Sequence, residues 1–330
     1  MRWEKENPVL FPEISQPGFM MQPIIPPVAR ELLEQELNST TYVRETNKGE
    51  NQIYIIDQHN APHTLQEIGR LRELTFRAAG GGTDKETDLD DFDTCENCYK
   101  QLIVWNPEDK EIVGGYRFIR CEDSKDEDGN YHLATTELFT FSEKFKKEYL
   151  PLTIELGRSF VQPAYQPSVS NRKGLFSLDN LWDGLGALVV DYPDMNYFFG
   201  KVTMYRHFNV QARDYILHFM NHYFPDNEHL VVPHFPVAIT TDISGLEKEL
   251  GDLPYKDGHH LLNKRVRALG ENIPPLVNSY MNLSATMRNF GTSVNDEFGD
   301  VDETGIMVTI KDIYPTKKER HINSYTGRKK

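Results

Sequence analysis

One stretch constrains the fold more than any other: Leu152-Thr153-Ile154-Glu155-Leu156-Gly157-Arg158-Ser159-Phe160-Val161. Leu152, Ile154 and Leu156 alternate with Thr153, Glu155 and Gly157, as in a strand with one buried face, and Phe160 and Val161 resume the apolar run. A carboxylate and a guanidinium are costly to bury without partners, so this strand must run beside other charges or line a site. Glycine inside a strand marks a bulge or a close backbone approach, which places a bulge at Gly157. A proline-bearing loop, Gln162 to Gln166, and a polar segment with Arg172, Lys173 and Gly174 come next. Leu178, Leu181, Trp182, Leu185, Leu188 and Val189 then recur at helical spacing. Strand, polar loop and helix in that order suit an anion held at a helix N-terminus. An ordinary buried strand whose Glu155 and Arg158 pair with other charges fits the spacing equally.

The rest of the chain supplies a sheet and helices to cover it. Residues 1 to 27 are rich in proline and apolar groups and read as an extended arm across the core, or as a flap over a lipid-binding groove or a membrane contact. A short helix over Val28 to Asn38 and a strand over Gln52 to Asp57 follow. Thr64 and Glu67 have capping-box spacing, and Leu65, Ile68, Leu71 and Leu74 predict a helix over 64–79. The acidic run from Asp84 to Asp93 reads as a loop. Strands are predicted at Gln101 to Trp105, Ile112 to Ile119 and Thr135 to Phe141, then a short basic helix with Lys144, Lys146 and Lys147. Beyond the organising strand come a strand at 197–204, a helix carrying Ala212 to Tyr223 and a strand at 231–239. Helices at 261–269 and from Pro274-Pro275, a strand at 305–310 and a frayed basic tail from Lys317 complete the chain. This is an α/β (α+β) mixed sheet flanked by helices. It divides into an arm and short helix over 1–49, a core over 50–224, and a C-terminal part of the same catalytic unit over 225–330.

Composition excludes several classes. With 50 acidic against 36 basic residues the formal charge is -14, which opposes nucleic-acid binding. No run of about 18 apolar residues would span a bilayer. Met1 to Asn7 leads into a proline-broken segment and not an apolar signal, and three cysteines make no disulfide framework. A cytoplasmic location is therefore expected. Cys95 and Cys98 form half of a zinc pattern whose second half is absent, and His59/His63 and His218/His222 lack the HExxH chemistry, so no metal is expected.

Four ordered motifs carry a resemblance. They are Arg70-Leu71-Arg72-Glu73-Leu74-Thr75-Phe76, Asp90-Asp91-Phe92-Asp93, Ile112-Val113-Gly114-Gly115-Tyr116-Arg117 and Glu155 to Val161. With Ile273 to Tyr280 and Asp296 to Asp300, the chain resembles the hemolysin-like branch of the GNAT acyltransferases over roughly residues 50 to 312. That branch includes the ornithine and glycine N-acyltransferases of bacterial aminolipid synthesis; acyl-homoserine lactone synthases are more distant relatives.

The resemblance implies a GNAT fold, a twisted mixed sheet in which the organising strand and the strand at 197–204 splay apart. It implies an acyl-phosphopantetheine donor, acyl carrier protein or acyl-CoA, with no tightly bound cofactor. Phe160 and Val161 would lie along the pantetheine, and Arg172, Lys173 and Gly174 would meet its phosphate. Glu155 is the candidate base or water-positioning group. Arg158 and Arg72 would hold Glu155 and Asp93 or clamp the acceptor carboxylate. Asp90 and Asp93 would meet its amine, Arg117 would join the charge network, and Phe76 would line the substrate site. An acidic carrier protein would dock on Lys144, Lys146, Lys147, Arg172 and Lys173. A separate O-acyltransferase and a membrane surface are further implied partners. A catalytically silent carrier-protein-binding module and a lactone synthase are the competing readings.

Overall fold

The computed structural model describes residues 21–166 and 173–328. Among them the strands are β1 Tyr42–Glu45, β2 Gln52–Ile56, β3 Lys100–Asn106, β4 Glu111–Arg120, β5 Phe139–Phe141, β6 Thr153–Val161, β7 Tyr197–Met204, β8 Val231–Pro233, β9 Arg288–Asn295 and β10 Val301–Thr309. The helices are α1 Arg30–Glu36, α2 Pro62–Ala78, α3 Asp91–Thr94, α4 Ser177–Asp191, α5 Val210–Tyr223, α6 Ser244–Leu250, α7 Tyr255–Ala268, α8 Pro275–Met281 and α9 Pro315–His321. Eight strands form one sheet in the order β1-β2-β3-β4-β6-β7-β10-β9, and β5 pairs with β8 apart from it. Within the large sheet every pairing is antiparallel except that of β6 with β7.

The period of two divides the sheet's chemistry between its faces. Leu156, Phe198, Val202 and Ile306 pack with Leu181, Leu185, Ile216 and Val277 of α4, α5 and α8 in the main core. Glu155, Phe199, Lys201 and Glu303 occupy alternate positions and so project from the opposite face. Phe199 there joins Phe139, Phe145 and Phe290 in a second apolar cluster.

β6 and β7 run together from Thr153↔Tyr197 to Leu156↔Gly200 and then part. At the last pair a Cβ on Gly200 would lie 2.3 Å from the Leu156 carbonyl oxygen, so the approach requires glycine. Gly200→Ala is expected to cost about 1–3 kcal/mol by overpacking, read as a lowered urea midpoint. An unchanged midpoint would mean the strands separate freely at this point.

The bulge lies one residue beyond Gly157. Pairing of β4 with β6 jumps from Gly115↔Phe160 to Arg117↔Gly157, which leaves Arg158 and Ser159 opposite Tyr116. Arg158, not the glycine, takes the left-handed conformation, with φ 47°. A non-glycine residue there stores about 1–3 kcal/mol of strain, so something must hold it.

Other departures have local causes. β1 pairs with β2, so the sheet begins before residue 50. The expected strand at 135–141 becomes a 3-10 turn, Ala134–Glu137, and the short β5; that at 231–239 shrinks to β8. β9 was unforeseen, and β10 starts ahead of 305. α2 is not capped by Thr64: the Glu36 carboxylate of α1 accepts from the Thr64 and His63 backbone N–H groups and from the Thr64 hydroxyl. The tail is tied down, since the Tyr325 hydroxyl donates to Asp191 Oδ1 at 3.2 Å and Arg328 pairs with Asp191. Of the N-terminal arm, Gln22 N–H donates to the Asp84 carbonyl and Ile25 N–H to that of Glu86; residues 1–20 lie outside the described residues.

Candidate active site

The acidic run is folded around arginines. Arg72 of α2, fully buried, donates from Nε to Asp88 Oδ2 at 3.1 Å and from Nη1 and Nη2 to Asp93 Oδ1 and Oδ2 at 3.2 and 3.0 Å. Arg117 of β4 reaches Asp90 Oδ1 at 2.7 Å and Asp93 Oδ2 at 3.3 Å. Arg158 of β6 lies 3.1 Å from Asp88 and 3.6 Å from Asp90, with its guanidinium 4.4 Å from the centre of the Phe298 ring. Phe76 meets Phe298 edge to face at 5.1 Å, so it backs the ring that carries Arg158. Asp90 and Asp93 form a reciprocal capping box at α3, which fixes both carboxylates. This network restrains Arg158 in its strained conformation. Burial alone would raise the Asp93 carboxyl, but Arg72, Arg117 and Arg158 hold it well below the usual range. Burial alone would lower the Arg117 guanidinium, and Asp93 and Asp90 push it the other way. Arg72 and Asp93 thus spend their hydrogen bonds on protein partners, a holding role.

Glu155 is also buried, beneath the opposite face of β6 from Leu156. The Tyr99 hydroxyl donates to Oε1 at 3.0 Å and the Thr135 hydroxyl to Oε2 at 2.8 Å; Ala134 N–H donates to the Tyr99 oxygen. Burial pushes its pKa up, while these hydroxyls and Arg117 pull partly back. A carboxyl whose pKa burial raises, on the residue next to Leu156 of the cleft wall, suits proton transfer.

Where β6 and β7 part, a cleft opens, with apolar walls from Leu156, Phe198, Leu276, Tyr280 and Ile306 and with Gly157 and Lys201 in its lining. Its cavity volume is about 20 Å³, far below the about 300–1,000 Å³ of ordinary ligand sites, so a long ligand must widen it. Past Leu156 the β7-facing edge of β6 has no strand partner. Phe160 is buried against the α2 side and Val161 half-buried against the main core, both paired through β4 on their other edge. Gly174 sits where a Cβ would be 2.0 Å from the Tyr165 carbonyl oxygen, which also accepts from the Ser177 hydroxyl. Its small size therefore serves the turn into α4. Arg172 lies outside the described residues. Lys144, Lys146 and Lys147 are each paired, with Glu228 or Glu143.

Sequence reasoning missed Asp88, Lys201 and Glu303. Asp88 bridges Arg72 and Arg158, and its place in a like-charge run hid it. Lys201 interrupts the apolar strand Tyr197–Met204, a signal of the same kind as Glu155. Among the described residues no group of histidine, cysteine or acidic side chains could hold a metal ion, and no helix is long and apolar enough to cross a membrane.

A mixed sheet that splits beside a bulged central strand, with a buried carboxyl at the split, is the plan of a GNAT acyltransferase. Residues 71–172 match the family pattern described as the Acetyltransferase (GNAT) domain. The chain is 52% identical over 306 residues to a glycine N(alpha)-acyltransferase of Phocaeicola vulgatus, covering 92% of this chain and 94% of that one. It is 54% identical over 306 residues to a glycine N(alpha)-acyltransferase of Bacteroides thetaiotaomicron, covering 92% and 91%. No solved structure matches the chain. The chain belongs to the GNAT-fold N-acyltransferases, in one family with these two proteins. It is an acyltransferase, which sets aside the silent-module reading.

Proposed function

We propose that this chain transfers a fatty acyl or 3-hydroxyacyl group from acyl carrier protein to the α-amine of an amino acid, glycine before ornithine, in aminolipid synthesis. The parting of β6 and β7 at Gly157 carries the reading: it leaves an apolar cleft and a free strand edge for pantetheine beside a raised carboxyl. The relatives' names favour glycine as acceptor.

The acceptor's ammonium loses a proton to Glu155, directly or through a water, and the free amine attacks the thioester carbonyl. As the C–N bond forms, negative charge gathers on the carbonyl oxygen, where a backbone N–H of the bulge supports it. Loss of one such donor costs about 100- to 1000-fold. Collapse breaks the C–S bond, and the departing thiolate takes up the proton that the attacking nitrogen sheds, leaving as the pantetheine thiol. Where the transferred chain is a 3-hydroxyacyl group, its hydroxyl offers the N-acyl product a site for a second acylation by a separate O-acyltransferase at the cytoplasmic membrane surface.

Mass spectrometry of the purified protein with acyl-carrier protein or acyl-CoA, plus glycine, serine, ornithine and lysine, tests this. N-acylglycine made from the carrier-protein donor is the expected product; acylation of ornithine alone would overturn the acceptor, and no transfer would overturn the reading. Carrier protein is acidic, so its kcat/KM should fall as salt rises, with acyl-CoA much less affected. Equal salt dependence would remove the charged docking step.

A further inference from the structure

Lys201 and Glu303 stand on neighbouring strands of the sheet face that also carries Glu155, where β6 has left β7. Lys201 lines the cleft, and its side chain is 12% exposed against 3% for Glu303. The ammonium lies 3.8 Å from Glu303 Oε1, an ion pair too long for a hydrogen bond. Among the described residues Glu303 Oε1 accepts a 3.2 Å bond from the Thr203 hydroxyl, and its Oε2 is buried with no hydrogen-bond partner. A buried carboxylate oxygen left unmet costs stability and needs an explanation. Burial lowers the Lys201 pKa, with the Glu303 and Glu137 carboxylates opposing and Arg158 and Arg117 adding to the fall. The three arginines of the cluster are paired elsewhere: Arg72, Arg117 and Arg158 face Asp88, Asp90 and Asp93.

An α-amino acid zwitterion carries opposite charges one carbon apart and is the complement of such a pair. We infer that Lys201 binds the acceptor's carboxylate and Glu303 its ammonium, so that the pair selects an α-amino acid and presents its nitrogen at the parting of β6 and β7. The inference rests on the proposed reaction and deepens it, since the acceptor then lies on the β7–β10 side while the thioester follows β6. Glu303 holds the ammonium until Glu155 or water removes its proton. The α-carboxylate becomes an element of specificity, and a side-chain amine is not required.

The test compares glycine with glycinamide, which keeps the amine and lacks the carboxylate, in wild type, Lys201→Met and Glu303→Gln. Wild type should prefer glycine in kcat/KM. Lys201→Met should reduce that preference at least about tenfold, the loss of one charge-assisted contact, with glycinamide turnover little changed. Glu303→Gln should raise KM for both acceptors at least about tenfold and leave KM for the acyl donor unchanged. Calorimetric titration of the full chain with glycine is the parallel measurement, and both variants should lose the wild-type heat. A glycine preference preserved in Lys201→Met, or a unchanged acceptor KM in Glu303→Gln, overturns the inference while the reaction stands. Glycine binding that the variants abolish, in a wild type that transfers no acyl group, keeps the pair and overturns the reaction. Absence of both overturns both.

Discussion

Asp93→Asn should lower unfolding stability by about 3 kcal/mol, because Arg72 and Arg117 lose the buried carboxylate they share and keep only Asp88 and Asp90. Asp93 takes bonds from both arginines and from Gln101 Nε2 at 2.9 Å, so no other carboxylate can replace it in place. Urea unfolding at neutral pH measures the loss, and a change below about 1 kcal/mol, the range of a surface pair, would show that the cluster is not electrostatically coupled. The pH dependence adds a second check. The Asp93 carboxyl is depressed in the fold, so its contribution is present above the ordinary aspartate value of about 3.9 and is lost as pH falls toward the folded value. The gap between wild type and Asp93→Asn should therefore be full at neutral pH and narrow in acid. Acyl transfer should fall too, since Arg158 would lose part of the network that holds the bulge.

Glu155→Gln should have the opposite profile, with acyl transfer reduced by about 100- to 10000-fold and stability kept or slightly raised. Burial raises the Glu155 pKa, so protonation favours the fold: the stabilising contribution is complete below the unfolded value and is lost as pH rises through the folded one. A neutral isostere removes that cost. Single-turnover rates with pre-bound donor, alongside thermal unfolding, separate the two effects. Turnover within a few-fold of wild type would take Glu155 out of proton transfer and leave it as a brace for Tyr99 and Thr135.

How much was legible follows from what each element needs. β6, β7, α2, α4 and α5 bury long apolar stripes, and periodicity alone located them. β1 offers Tyr-Val-Arg-Glu, too short for a pattern. β9, Arg-Asn-Phe-Gly-Thr-Ser-Val-Asn, is polar yet largely buried, because Thr292 and Thr304 bond to each other and Asn289 bonds to Asn221. Such partners are distant in sequence and leave no local mark. The site divided in the same way. Glu155 and Arg158 stood out as charges within an apolar strand, whereas the acidic run could be read as a loop until arginines from α2, β4 and β6 met it in space. Placing the bulge at Gly157 followed the rule for glycine; a clamped arginine took the left-handed position instead.

The short seam from Thr153↔Tyr197 to Leu156↔Gly200 has a consequence for how the enzyme can be divided. β9 and β10 join the sheet only through β7, and α8 contributes Leu276 and Tyr280 to the cleft from the same C-terminal stretch. A fragment cut to the recognisable 71–172 segment would carry Glu155 and the arginine cluster and lack β7, Lys201, Glu303 and one whole wall of the slot. The two jaws of the cleft come from successive halves of the polypeptide, β6 from one and β7, α8 and β10 from the other, so grafting or shuffling that respects the familiar boundary would transplant only one of them.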